Sequence, residues 1–264
     1  MKSGKELFVP LLVALLMPVC GVTAAVVTEE IRYLDGDTEL QGHIYYDDSF
    51  AEKRPGVLVV HEWWGLDDYA KRRATMLAEL GYVAFAADMY GVGKVTEHPD
   101  QAQEWMMVNA SNVDGWRARA NLALQQLASH EKSDGNQLAA IGYCFGGATV
   151  MQLAYTGAPV RGVASFHGSL PLPKEDEHPP IDGRVLILHG DSDPFIERDH
   201  VEKFKAALTA ENADWEMVSY GGVLHSFTNP GADQHGMPAL KYDAQADRRS
   251  WARLQQFFTE IFEQ

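Results

Sequence analysis

Short apolar runs recur along the chain at 57–60, 82–87, 138–143, 162–166, 185–188 and 215–218. None is long enough for a helix and none alternates with polar residues, which is the pattern of strands buried on both faces of a sheet. Between them the spacing becomes helical. Ala70, Ala74, Leu77 and Leu80 share one face, and Trp116, Ala120, Ala123, Leu124 and Leu127 share another. Near the C-terminus Trp251, Leu254, Phe258, Ile261 and Phe262 form a stripe with Arg248, Arg249 and Arg253 interspersed. This alternation predicts an α/β fold: a mostly parallel, doubly wound sheet with helices on both faces. Ahead of it, residues 31–34 and 40–46 flank Asp35-Gly36-Asp37 and read as an antiparallel hairpin or two edge strands. No repeat, linker or charge block divides the chain, so one domain is expected over 25–264. The stretches 90–99, 168–183 and 228–242 follow neither period. They are expected to be surface loops at the edge of the sheet that carries sites in open α/β folds.

The first residues stand apart from this pattern. Lys2 and Lys5 precede an apolar stretch, 7–19, that ends near Val22-Thr23-Ala24-Ala25. Basic start, apolar centre and small-residue end predict a secretory signal over 1–24. Thirteen residues containing Pro10 are short for a membrane span. The expectation is therefore an exported protein, periplasmic in a Gram-negative host and otherwise secreted, with no membrane attachment after cleavage. The chain has a formal charge of −15 and a pI near 5.0, with no basic run, which argues against nucleic acid as a partner. Export also changes the cysteine count. Of the two cysteines, Cys20 leaves with the signal, and Cys144 alone cannot form an internal disulfide. A single thiol in an exported chain is a candidate for reactivity.

Cys144 sits in Gly142-Tyr143-Cys144-Phe145-Gly146-Gly147, between an apolar run and a helical pattern. Strand, small-X-nucleophile-X-small turn and helix make a nucleophile elbow, with cysteine in place of the commoner serine. The glycines let strand and helix approach closely, and the helix N-terminus favours a thiolate. The alternative is a buried cysteine on a glycine-rich turn. Downstream, Asp191-Ser192-Asp193 leaves one strand and His225 follows another. The order Cys144, Asp193, His225 is that of an α/β-hydrolase triad, with Asp193, further out on its loop than Asp191, as the acid. Oxyanion donors are expected from the backbone N–H groups of Phe145 and of Trp63, in the turn after the run 57–60. Glu62, beside Trp63, reads as a rim residue. His61, His167 and His189 each end an apolar run and read as strand-end hydrogen-bonding groups. No spacing supports a metal site, and no cofactor is expected.

Together these stretches resemble the dienelactone hydrolase family of α/β-hydrolases, from about Gly56 to Phe262. The resemblance is carried by Val59-Val60-His61-Glu62-Trp63-Trp64-Gly65, Ala87-Asp88-Met89-Tyr90-Gly91, the Cys144 elbow, Gly190-Asp191-Ser192-Asp193 and His225-Ser226-Phe227. It implies the α/β-hydrolase fold, here without a large cap domain, the triad Cys144, Asp193 and His225, and the donors Trp63 and Phe145. It also implies that Glu62 contacts the resting thiol and controls its ionisation. Members that cleave dienelactone hold the substrate carboxylate with two arginines, where this chain offers Val92 and Asn229, with Lys94 as the nearby cation. Lysine lacks the guanidinium fork, so a neutral ester, lactone or thioester fits at least as well. Trp64, Tyr90, Lys94, Phe227 and Asn229 are the expected substrate-binding residues. The expected partner is a small ester or lactone, and the expected state a monomer or small homo-oligomer. A ligand-binding protein without turnover, and an acyltransferase or peptidase of the same fold, are the alternatives.

Overall fold

The computed structural model describes residues 25–174 and 177–263, so the segment read as a signal lies outside it. Eight strands form one sheet: β1 (Val26–Asp35), β2 (Thr38–Asp47), β3 (Arg54–Val60), β4 (Val83–Ala87), β5 (Ser133–Tyr143), β6 (Gly162–Phe166), β7 (Arg184–Gly190) and β8 (Trp215–Tyr220). Their order is β1-β2-β4-β3-β5-β6-β7-β8. β1 and β2 are an antiparallel hairpin turning at Gly36, and β2 lies antiparallel to β4. From β4 to β8 every neighbouring pair is parallel.

The unbroken apolar runs resolve into two faces. Val57 and Val59 of β3 join Ala70, Ala74 and Leu77 of α1 (Asp68–Glu79) and Leu254, Phe257 and Phe258 of α6 (Ala244–Phe262). Leu58 and Val60 join Ala120 and Leu124 of α3 (Val113–Ser129), Met151 of α4 (Phe145–Ala154) and Phe204 of α5 (Arg198–Ala210). Each residue of Val57–Val60 thus meets a helix layer, which is why no polar residue interrupts that run. Caps fit the sequence: Asp67 accepts from Ala70 N–H, and Asp243 from Gln245 and Ala246 N–H.

α2 (Pro99–Ala110) lacks an apolar stripe and buries only Ala102 and Asn109. Two anchors on three turns leave no readable period. α5 keeps a short stripe, with Val201, Phe204 and Leu208 at i, i+3 and i+7. The loop 228–242 contains one 3-10 turn, Ala232–His235. Among the described residues no helix is long and apolar enough to cross a membrane. The chain order reverses around β3, with β4 on one side and β5 on the other. At such a switch point the strand ends part and leave a crevice.

Candidate active site

The elbow is built by close backbone contact. A Cβ on Gly142 would lie 2.0 Å from Gly146 O, and one on Gly146 would lie 2.2 Å from Val60 O. Only glycine lets α4 start against the ends of β5 and β3. Between them Cys144 is held at φ 52°, ψ −112°, a region that L side chains seldom occupy. Its thiol is free and half-buried. Phe145, first residue of α4, carries an N–H that no intrahelical carbonyl takes. The β3 turn lies alongside, with the rings of His61 and Phe145 5.9 Å apart. Trp63 is half-buried in that turn, edge-on to Trp64.

His225 lies beyond β8, fully enclosed. Its Nδ1 is 2.7 Å from Asp193 Oδ2, and the Cys144 side chain lies beside it. Asp193 is buried and also accepts Phe195 N–H at 2.9 Å. Asp191 is exposed and 3.7 Å from Arg198, so the structure separates the two aspartates that the sequence left in competition. Burial lowers the His225 pKa, but the nearby Cys144 and the hydrogen bond that His225 donates to Asp193 outweigh it and push it up to about 10. That arrangement favours a charged imidazolium at His225.

Glu62 is not at a rim. It is 1% exposed, with Oε1 accepting the Ser226 hydroxyl at 2.6 Å and Oε2 accepting Asn229 Nδ2 at 2.6 Å. Burial, with the charge of Asp67, outweighs these donors and His225 and raises its pKa to about 7. The rim reading failed because the two residues that enclose this carboxyl come from the far end of the chain.

The residues expected to bind substrate scatter. Asn229 is 5% exposed and its amide is committed, Nδ2 to Glu62 and Oδ1 to Gly231 N–H. Asn229 clamps a carboxyl of the protein while also lining the cleft beside Trp64. Phe227 is fully buried against Tyr220 and His167, a core ring and not a pocket wall. Trp64 is 2% exposed and stacks on His235 at 3.9 Å. It lines a cleft of about 650 Å³ with Tyr69, Lys71, His98, Asn229 and His235. Tyr90 packs on His61 and Phe145, its hydroxyl buried without a hydrogen-bond partner among the described residues. Lys94 is exposed and lines an adjoining 150 Å³ groove with His43, Lys71 and Asp88. Val92 is exposed. Among the described residues no three His, Cys, Asp or Glu side chains cluster to hold a metal.

Three participants carried no signal in the sequence. Ser226 stood inside a quoted motif with no role attached. Phe195 is 52% exposed and lies edge-on to His225 at 5.1 Å, and only the Asp193 turn could have pointed to it. Thr228 is fully buried and 2.7 Å from His167.

The profile of the dienelactone hydrolase family matches residues 40–262. A putative carboxymethylenebutenolidase of Yersinia pestis is 27% identical over 245 residues, covering 84% of each chain. A solved dienelactone hydrolase-like promiscuous phosphotriesterase from metagenomic libraries superimposes with a TM-score of 0.87 at 38% identity, over 90% of this chain and 99% of that one. Esterase 2 of Thermogutta terrifontis, 19% identical with a TM-score of 0.64 over 89% and 94% of the two chains, shares the fold alone.

Proposed function

The chain belongs to the dienelactone hydrolase family and is a hydrolase of ester bonds, and on that premise we propose that it cleaves a small neutral carboxylic ester or lactone through Cys144, His225 and Asp193. The supporting observation is His225, buried, with its Nδ1 hydrogen-bonded to Asp193 and the elbow's Cys144 side chain beside it. In this reading the Cys144 thiolate adds to the acyl carbon, and the carbonyl electron pair moves to oxygen. The N–H groups of Phe145 and Trp63 receive that oxyanion. Collapse breaks the bond to the alkoxide, which takes the proton held by His225 and leaves a thioester on Cys144. His225, now neutral, draws a proton from water as the water adds to the thioester. The acid leaves and the thiolate–imidazolium pair is restored. Asp193 keeps the ring oriented throughout.

A neutral substrate is supported by the two positions where the family's substrate carboxylate would be held. The Asn229 amide holds Glu62 and Gly231 N–H, and Lys94 is exposed in a groove adjoining the Trp64 cleft. Neither offers a fork for a substrate carboxylate. A second reading is favoured by the likeness to a promiscuous phosphotriesterase: the same thiolate attacks a neutral phosphate triester, with an aryloxide leaving. We further propose that residues 1–24 are an export signal. Peptide mapping of the protein recovered from its host should find a new N-terminus at Ala25 or Val26, and an intact Met1 would refute it.

The test of the thiol is mass spectrometry of the protein mixed with p-nitrophenyl butyrate and quenched early. One acyl group should appear on the Cys144 peptide, and Cys144→Ala should lose turnover by roughly 10³-fold or more. Paraoxon in the same assay separates the two readings. If Cys144→Ala keeps the parent rate on both substrates, the nucleophile is not this thiol.

A further inference from the structure

The proposed chemistry uses neither His167 nor Thr228, yet both are fully buried beside it. We propose that His167, held as its Nε2–H tautomer, is a positioning residue that fixes the nucleophile elbow to the loop carrying the base. The inference rests on reading Cys144 and His225 as nucleophile and base.

The geometry begins at the strained residue. A non-glycine residue at φ 52° must be kept there by its surroundings. The Cys144 N–H is shared between Phe166 O at 3.0 Å and His167 Nδ1 at 3.1 Å. A nitrogen that accepts an amide proton carries none of its own, so the ring proton sits on Nε2. Nε2 is 2.7 Å from Thr228 Oγ1 and donates to it. Burial, then the charges of His225 and Arg73, hold the His167 pKa well below its ordinary value, which keeps the ring neutral. His167 is itself at φ 40° and donates its own N–H to Leu188 O at 2.8 Å, so the ring is anchored at the end of β6.

The far end of the link matters as much. Thr228 follows His225 by three residues and lies between Ser226 and Asn229, the two groups that hold Glu62. Its hydroxyl is also 2.6 Å from Tyr69 OH on α1, and its carbonyl accepts Arg73 Nη2 at 2.6 Å. One side chain therefore joins the amide of the nucleophile to the loop that carries base and carboxyl clamp. The His167 and His225 rings meet edge-on at 5.2 Å, so the same ring is a wall for the base. Displacement of a reacting group by a fraction of an ångström is expensive in rate, and this link opposes sliding of the loop against the elbow.

Thr228→Val removes the acceptor and keeps the shape. We expect it to lower kcat on p-nitrophenyl butyrate about tenfold or more, with KM within about twofold. Iodoacetamide labelling of Cys144 at pH 7, read by peptide mass, should slow in parallel, and Thr228→Ser should restore both. His167→Asn keeps an acceptor for the Cys144 N–H but cannot reach Thr228. It should show the same loss, and adding Thr228→Val to it should cost nothing more, because one link is then cut twice. A fall in Tm with kcat and labelling unchanged would leave His167 a merely structural residue and overturn the proposal. So would multiplying losses in the double variant, or a Thr228→Val defect that serine does not repair. Should His167→Asn fail to fold, the Thr228 pair decides alone. If the parent protein turns over nothing, the hydrolase mechanism falls, while the labelling series still reads the link.

Discussion

Both oxygens of Glu62 are taken inside the protein, and their two partners tolerate different charge states. The Asn229 amide is fixed in orientation by Gly231 N–H, so its Nδ2 always donates. The Ser226 hydroxyl can turn and accept, which gives a proton on Glu62 a place at Oε1. With the folded pKa raised to about 7 from an ordinary 4.5, both states are protonated below pH 4.5. Between 4.5 and 7 the unfolded chain releases its proton while the folded one keeps it, so this group's contribution to stability falls as pH rises through that window and stays low above it. Glu62→Gln copies the neutral form bond for bond. Its Tm should match the parent near pH 4.5 and exceed it at pH 8, by up to ~3 kcal/mol or roughly 6 °C. A gap of constant size across pH would show that Glu62 does not titrate there. Cys144, Asp193 and His225 were legible because motif and chain order point to them. The clamp was not, because Ser226 and Asn229 lie 164 and 167 residues from Glu62.

Elements were legible where one face is apolar over several turns, as in α1, α3 and α6, and illegible in α2, where two buried residues hold the helix. The elbow was readable from its glycines alone, and their necessity can be measured. In Gly146→Ala the new Cβ would meet Val60 O at 2.2 Å and His61 O at 2.7 Å, backbone atoms of β3 and its turn that cannot rotate away. Urea unfolding should report a loss of about 3 kcal/mol or more. Gly221→Ala, with nothing within 4 Å, should leave the midpoint nearly unchanged. Equal midpoints for the two variants would mean that the elbow relaxes freely.

The two helices of one face are tied to the loop that carries His225 and Thr228 by a single buried guanidinium. Arg73 of α1 reaches Asp247 of α6 at 2.5 Å and Thr228 O at 2.6 Å, under the rings of Tyr69, Tyr143 and Trp251. Removing one partner of a buried pair strands the other. Asp247→Ala should destabilise the protein by about 3–5 kcal/mol. Arg73→Met should cost less, since Asp247 keeps the Tyr242 hydroxyl and lies nearer the surface. Chemical unfolding of both variants checks the order, and a larger cost for Arg73→Met would show that ring packing outweighs the ion pair.

By itself the sequence determined the sheet, the elbow and the order of thiol, acid and histidine. Burial on two faces leaves unbroken apolar runs, a tight turn demands glycine at set positions, and chain order is written in the chain. Only the tertiary structure decided how the buried polar groups pair. Glu62 with Ser226 and Asn229, His167 with Thr228, and Arg73 with Asp247 each join segments that meet nowhere but in the folded sheet. It also decided which aromatic faces the core, as Phe227 does, because an apolar ring looks the same in sequence whether it lines a pocket or fills an interior.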